Sequence, residues 1–149
     1  MAPVDSIVRK LADVTPQYRT APHNIEAEQA LIGAILVNNE SFYRVSDFLE
    51  PSHFYEPIHQ QIYELASQLI RAGKVASPIT LKTFLPSEFE VGGLNASQYL
   101  ARLAAEATTV INAADYGRTV NDLSIRRNLI HIGESMVNEI GRASCRERV

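Results

Sequence analysis

Histidine and carboxylate pairs are the first residues of this sequence whose types could support chemistry. His53 and His59 stand six residues apart, a spacing that does not place two metal ligands on one helix face. Glu26 and Glu28 stand two apart, so on a helix they point in different directions and form no paired-carboxylate site. We therefore expect histidines satisfied by structural hydrogen bonds and carboxylates that stabilise the start of a helix, with no metal centre.

A glycine pair, Gly92-Gly93, is the next candidate, because glycine-rich loops can hold phosphate groups. Neither G-x-x-x-x-G-K-[ST] nor G-x-G-x-x-G occurs in the sequence, and no Lys-Ser/Thr follows this pair. The pair is more typical of a turn. We expect this chain by itself to have no catalytic site and no bound cofactor.

The overall composition indicates the class of protein to which these residues belong. The 149 residues are 46% hydrophobic and 21% charged, which suits one globular domain with a core. The formal net charge of −3 is unusual for a protein that binds DNA through phosphate neutralisation. We find no apolar segment of membrane-spanning length and no signal peptide, so we expect a cytoplasmic protein.

Apolar residues recur at helical spacing along most of the chain, and alternation typical of strands is missing, so the predicted fold class is all-α. We predict a flexible arm interrupted by prolines over residues 1–21, in which 6–12 could form only a short frayed helix. Residues 22–107 form a compact helical head. Its helices are predicted over Ile25–Val37, Glu40–Leu49, Pro57–Ala72, Ile79–Leu85 and Ala96–Ala105.

The longest predicted helix follows the head, over 110–139, within a segment that begins at Thr108. Thirty helical residues span about 45 Å, too long for a head of this size, so part of the helix should project and its apolar stripe should need a partner. Candidate interface residues are Tyr116, Val120, Leu123, Arg126, Arg127 and Met136. For the arginine pair, the alternative is a solvated face next to Asp122 and Glu134; for Tyr116, it is packing within the chain.

The last ten residues, 140–149, differ from the sequence before them. They hold the only cysteine and three arginines, and they correspond to a translated frame of a common sequencing adapter. We interpret them as a non-native tail, the alternative being a native basic tail. Because the tail carries three arginines and one glutamate, the preceding chain has a formal net charge of −5 and no cysteine.

Three stretches of the sequence fit one known pattern in order and spacing. The first is Pro22 to Leu36, PHNIEAEQALIGAIL. The second is Asp47 to Tyr55, DFLEPSHFY, running into His59 to Tyr63, HQQIY, with Gly73 and Thr80-Leu81 after it. The third runs from Gly92-Gly93 through Tyr99-Leu100, followed by NAADY at 112–116 and RRNLI at 126–130. Together they resemble the N-terminal domain of the DnaB-type bacterial replicative DNA helicase, over residues 22–139.

This resemblance implies a helical head followed by a helical hairpin, of which 108–139 would be the first helix. It implies a parent protein that unwinds duplex DNA at the replication fork, as a homohexameric ring whose N-terminal domains form a collar of paired subunits. Implied partners are other copies of the chain, the primase DnaG and a helicase loader, with DNA contacted through the parent ring. ATP and Mg²⁺ would bind in the parent's ATPase domain, which we expect to lie beyond this sequence together with the second hairpin helix.

Two other functions stay open from the residues alone. One is a stand-alone helical adaptor or regulator derived from this domain. The other is a small helical enzyme, which the lack of a nucleophile–base spacing disfavours.

Overall fold

The computed structural model describes residues 20–107 and 112–147, with side chains described as far as Ala143. Within these ranges the chain is helical, with one small hairpin of two strands. The predicted N-terminal arm, apart from residues 20 and 21, and the predicted start of the long helix at 108–111 lie outside the described residues. The elements in chain order are α1 Ile25–Val37, α2 Glu40–Tyr43, a 3₁₀ turn Pro51–His53, α3 Pro57–Arg71, α4 Pro78–Leu81, β1 Glu90–Val91, β2 Leu94–Asn95, α5 Ala96–Glu106 and α6 Ala113–Glu147.

Helix α1 is the centre of the head, and α5 and α6 make the most extensive contacts with it. It begins at the predicted residue because the Asn24 side chain accepts a hydrogen bond from the Ala27 backbone N–H, at 3.0 Å. Almost every residue from Ala27 to Leu36 is buried, so α1 is apolar nearly all round and is covered on several sides.

Helix α3 packs its apolar face on α1 and on the 3₁₀ turn. Pro57 occupies the first helical position, where a missing N–H costs no hydrogen bond, and Gly73 follows the helix end with a φ of 73°. The prediction of Pro57–Ala72 is confirmed to within one residue. Phe54, just before α3, is almost fully buried in the core.

Two predicted helices are shorter than expected. The segment predicted as Glu40–Leu49 is helical only to Tyr43; turns follow, in which amides bond to carbonyls three or four residues back in a mixed pattern. These turns still bury Phe42, Val45 and Leu49, so the apolar spacing is satisfied without a regular helix. The segment predicted as Ile79–Leu85 is helical only over Pro78–Leu81.

The small hairpin was not predicted from the sequence pattern. Glu90 pairs with Asn95 and Val91 with Leu94 in antiparallel register. Gly92 and Gly93 form the turn with φ values of 57° and 79°, which glycine adopts without the penalty a Cβ would bring. The prediction that this pair forms a turn is confirmed.

Helix α6 is longer than predicted. Its backbone stays helical through Glu147, eight residues beyond the expected end at Glu139. No proline occurs in this stretch, and alanine, arginine and glutamate all favour helix there. The helical backbone therefore does not mark the proposed boundary of the tail at residue 140.

Candidate functional site

The first part of α6 is fixed against the head. Ala113, Val120 and Ser124 are buried, and they follow one another at helical spacing on one face. Gly117 lies on the same face, where an added Cβ would stand 2.5 Å from Val45 Cγ1. A glycine is therefore required at this position for α6 to approach the head so closely.

Arg127 lies where α6 passes from the head into its exposed part. Its guanidinium donates to the backbone carbonyl of Pro22, at 2.8 Å, and to that of His53. The same group lies 5.6 Å from the centre of the Tyr55 ring, on which the His23 ring also stacks at 4.1 Å. Arg127 thus ties α6 to the segment before α1 and to the 3₁₀ turn.

These contacts correct part of the predicted interface. Arg127 was expected to contact a partner or to belong to a solvated face, but it is engaged inside the chain. Val120 is only 2% exposed and belongs to the core of the head, so it is not available to a partner. Both residues lie on the face of α6 that packs on the head. The periodicity of apolar residues in the sequence did not by itself distinguish this face from the exposed one.

The other predicted interface residues lie at or near the surface. Tyr116 is 37% exposed, Leu123 is half-buried, and Arg126 is exposed. Met136 is 59% exposed on the distal part of α6. Contact of these four residues with a partner stays a prediction.

Beyond the head, α6 is exposed on all sides: every residue from Asn128 to Ala143 is exposed. From Ile125 onward five of the exposed large apolar side chains share one face of α6, which we name the outer stripe: Ile125, Leu129, Ile132, Met136 and Ile140. Ile140 belongs to the segment interpreted as a tail, and two further exposed apolar residues, Ile130 and Val137, lie on another side of α6. At 100° per residue the outer stripe lies about 140° round the helix from the buried face. Five exposed apolar side chains in one row are typical of a surface that another helix covers.

A buried polar network joins α1, α3 and α5. The Glu28 carboxylate accepts from the backbone N–H of Tyr55, at 2.6 Å, and lies 2.6 Å from His59 Nδ1. The other ring nitrogen of His59, Nε2, is 2.7 Å from the Tyr99 hydroxyl, which also accepts from the Gln29 amide. Glu28 and His59 are almost fully buried.

One arrangement of donors satisfies every contact of this network. With the Tyr99 O–H donating to Nε2 of His59, the Nδ1–H donates to the Glu28 carboxylate, and the Tyr99 oxygen accepts from the Gln29 amide. Burial raises the pKa of the Tyr99 phenol, and the nearby Glu56 and Glu28 charges add to this, against the Gln29 hydrogen bond and Arg102. The phenol thus stays protonated at neutral pH, as the network requires.

The expectation that His59 is a satisfied structural histidine is confirmed, but the role of Glu28 was missed. Glu28 was interpreted only as a first-turn carboxylate, whereas it supplies the buried acceptor of the network. A signal was present: Glu28 precedes Leu31, Ile32 and Ile35 by three, four and seven residues, and so shares the buried face of α1.

The described part of the chain lacks two other features that would indicate a function. No group of three or more His, Cys, Asp or Glu side chains there could hold a metal ion. None of the described helices is both long enough and apolar enough to cross a membrane.

Comparison with known proteins assigns the family. The model of the DnaB-like helicase N-terminal domain matches residues 20–122. The replicative DNA helicase DnaB of Rickettsia typhi is 47% identical over 126 residues, which cover 85% of this chain but 25% of the helicase, and that of Geobacillus stearothermophilus is 29% identical over 121 residues. The chain spans about a quarter of the length of these curated relatives.

Solved structures agree with this assignment. The N-terminal domain of DnaB helicase from Mycobacterium tuberculosis matches with a TM-score of 0.70 and 28% identity, over 80% of this chain and 86% of that one. The N-terminal domain of the Helicobacter pylori DnaB helicase, described together with its interactions with primase, shares the fold with a TM-score of 0.65 and 21% identity. The chain belongs to the DnaB-like helicase N-terminal domain family.

Proposed function

We propose that this chain is the assembly domain of a replicative DNA helicase, which pairs subunits in the N-terminal collar and provides the docking surface for primase. The observation that carries the proposal is the outer stripe, a row of exposed apolar side chains on the part of α6 that leaves the head. Family membership supports a role within a replicative helicase, because the curated relatives are replicative helicases about four times as long as the matched segment.

The remaining functions belong to the whole protein in this proposal. The parent would unwind duplex DNA with ATP and Mg²⁺ bound in its ATPase domain, would contact DNA through the assembled ring, and would act in the cytoplasm with a helicase loader. The domain itself would contribute pairing and primase binding, with no catalytic step of its own.

In the proposed assembly, the outer stripe packs against an apolar helix of the same protein, from the hairpin or from a second subunit. Helices pack by interdigitating rows of side chains, and the spacing of three and four residues in the outer stripe presents such a row. Covering these five side chains removes apolar area from water, and each buried aliphatic side chain contributes about 1.5–3 kcal/mol.

A charge placed on the outer stripe tests the assembly. We expect the 149-residue chain to self-associate as its concentration rises, and Met136→Glu to weaken this association about tenfold or more, because the new carboxylate would have to be buried. Sedimentation equilibrium measures the association constant.

Asn138→Glu is the matched control, since it adds the same charge two residues away on a different face of α6 and should leave association nearly unchanged. A chain that stays monomeric at high concentration with strongly protected amides along 125–140 would contradict the proposal, as would equal effects of the two variants.

Primase binding is tested with the same variants. Titration of purified bacterial primase into the chain, followed by calorimetry, should show binding that Met136→Glu weakens and Asn138→Glu does not. If the self-associated chain does not bind primase, the primase-docking part of the proposal is wrong, and the subunit-pairing part is unaffected.

The DNA downstream of the Glu139 codon separates the proposal from the stand-alone adaptor. A linker followed by an ATPase region with a phosphate loop supports the helicase, and a native stop codon supports the adaptor.

A further inference from the structure

The head carries an exposed apolar surface that is separate from α6. Between Thr20 and Ala107, all the exposed large apolar side chains belong to two short segments, 37–43 and 75–84. They are Val37, Tyr43, Val75, Ile79 and Phe84. Ile79 is 72% exposed and Val75 is 66% exposed, so most of each side chain faces solvent.

Asn39 joins the two segments. Its side-chain amide donates to the Ala76 carbonyl, at 2.8 Å, and its side-chain oxygen accepts from the Ala76 N–H, at 3.0 Å. One side chain that satisfies both backbone groups of a residue fixes the two segments next to each other. Val37 and Val75 lie within two residues of this contact, so they flank the same junction.

The junction continues into α4. The Thr80 hydroxyl donates to the Val75 carbonyl, at 3.0 Å, and Ser77 forms a reciprocal capping box with Thr80 at the start of the helix. Ile79, next to Thr80 in α4, is thereby fixed relative to Val75. We name the surface formed by the five exposed apolar residues the Asn39 surface: Val37, Tyr43, Val75, Ile79 and Phe84.

Basic side chains accompany these apolar residues. Segments 37–44 and 71–85 contain four basic residues and a single acidic one, Glu40, although the whole chain has a formal net charge of −3. All four basic side chains are exposed, and no ion pair within the described residues involves them: Arg44, Arg71, Lys74 and Lys82. The Asn39 surface is thus a positive region of an acidic protein.

The size and charge of the Asn39 surface indicate which partner fits it. Functional apolar patches on monomeric proteins typically cover about 300–600 Å², and five partly exposed side chains form a patch of this order. A stable interface between two globular proteins takes about 800 Å² from each of them. Symmetric pairing with a second copy would also bring Lys74 and Lys82 of both copies together, and these like charges repel.

We propose that the Asn39 surface binds a short acidic, amphipathic segment of another protein. Apolar side chains of that segment cover Val75 and Ile79, and its carboxylates pair with the basic side chains around them. A protein segment fits better than single-stranded nucleic acid, because Val37, Val75 and Ile79 have no aromatic face on which a base could stack. Binding here is independent of the proposed pairing through the outer stripe.

A designed peptide tests the proposal in the 149-residue chain. The probe has about 14 residues, with leucine at i, i+3, i+4 and i+7 and Asp or Glu elsewhere, and its control has the same composition in scrambled order. In NMR titrations we expect the largest shifts of backbone amide signals at 37–43 and 74–84, and binding of the scrambled peptide about tenfold weaker. Largest shifts elsewhere, equal binding of the two peptides or no binding would overturn the proposal.

Matched charge variants test the basic side chains. Lys74→Gln combined with Lys82→Gln should weaken binding of the probe about fivefold or more, because two charge pairs are lost. Arg102→Gln combined with Arg118→Gln removes the same net charge at exposed positions outside the surface, where screening by salt should leave the affinity nearly unchanged. Equal losses in the two double variants would overturn the proposal.

A second pair of variants tests the apolar contact. Ile79→Ser should weaken binding of the probe about tenfold, because the apolar side chain that the probe covers is removed. Ile130→Ser makes the same change at an exposed isoleucine of α6 and should leave the affinity unchanged. Unshifted amide signals of α1 show that the head is intact in both variants, and equal affinities of the two would overturn the proposal.

Two further measurements detect other partners of the same surface. If a short oligodeoxythymidine shifts the amide signals of 37–43 and 74–84 at lower concentration than the probe does, the surface binds nucleic acid and the proposal is overturned. If these signals shift as the chain alone is concentrated, a second copy covers the surface, which also overturns it. Signals that respond to the acidic probe but to neither of these conditions support the proposal.

Discussion

At the scale of single residues, a few buried polar side chains fix how the helices meet. Glu28 satisfies the Tyr55 backbone N–H and His59, and His59 in turn reaches Tyr99 on α5. A polar group buried without a partner is costly, so each member of this network depends on the others. The network therefore specifies one arrangement of α1, α3 and α5.

Removal of the carboxylate tests this dependence. We expect Glu28→Leu to lower the free energy of unfolding by about 3 kcal/mol, because His59 Nδ1 and the Tyr55 N–H lose their acceptor. Urea unfolding followed by circular dichroism measures the change.

Glu26→Leu is the control on the same helix, since Glu26 is exposed and the change should stay within about 0.5 kcal/mol. Similar losses in both variants would show that the network contributes little.

At the scale of elements, the sequence predicted helices best where local chemistry marks their ends. α1 and α5 begin where Asn24 and Asn95 cap them, and Asn95 forms a reciprocal capping box with Gln98. The second predicted helix was too long because nothing local distinguishes a helix from successive turns that bury Phe42, Val45 and Leu49. Tertiary packing decides whether such a segment forms a helix or a series of turns.

The candidate site was predicted only in part, for a related reason. The spacing of apolar residues indicated that α6 is long and needs a partner. It did not separate the apolar face that packs on the head from the outer stripe, because the two run along the same helix. Val120 and Leu123 precede the point where α6 leaves the head, and Met136 follows it. The point of departure is set by Arg127, whose carbonyl partners at Pro22 and His53 lie 105 and 74 residues away in sequence.

Contact between elements is tested at two glycines. In α1, an added Cβ at Gly33 would collide with the backbone carbonyl of Leu103 in α5. We expect Gly33→Ala to destabilise the fold by about 1–3 kcal/mol, since backbone must move. At Gly133 in α6 a Cβ meets nothing, so Gly133→Ala should stabilise by about 0.5–1 kcal/mol through helix propensity.

Thermal unfolding of both glycine variants against the parent chain measures the two shifts. Opposite signs are the expected result, and a stabilised Gly33→Ala would mean that α1 and α5 pack less closely than described.

At the scale of the whole molecule, stability should fall in alkaline solution. Burial raises the pKa of Tyr63 to about 12, with the Arg71 charge opposing the shift, and burial likewise raises that of Tyr99. Below about pH 10 these phenols are protonated in both states and their contribution is fully present. As pH rises from 10 towards 12 the unfolded chain ionises first, so stability is lost.

Urea midpoints between about pH 8 and pH 11 measure this loss. Tyr63→Phe should flatten the slope, because the phenol is removed from both states, although it also removes the hydrogen bond to the Leu49 carbonyl. Tyr43→Phe changes an exposed ring and should keep the parent slope. An unchanged slope in Tyr63→Phe would contradict the assignment.

Because α6 packs on the head as far as Arg127 and is exposed beyond it, its distal part acts as a lever that pivots at this residue. Twenty residues of α6 follow it, and at 1.5 Å per residue they extend about 30 Å from this fulcrum. If α6 rotates by about 10° at Arg127, its far end moves by about 5 Å, close to the rise of one helical turn. A small shift of the Arg127 guanidinium against its two carbonyl partners therefore moves the far end of α6 by several ångströms. That displacement is large enough to change which side chains of α6 meet a neighbouring helix.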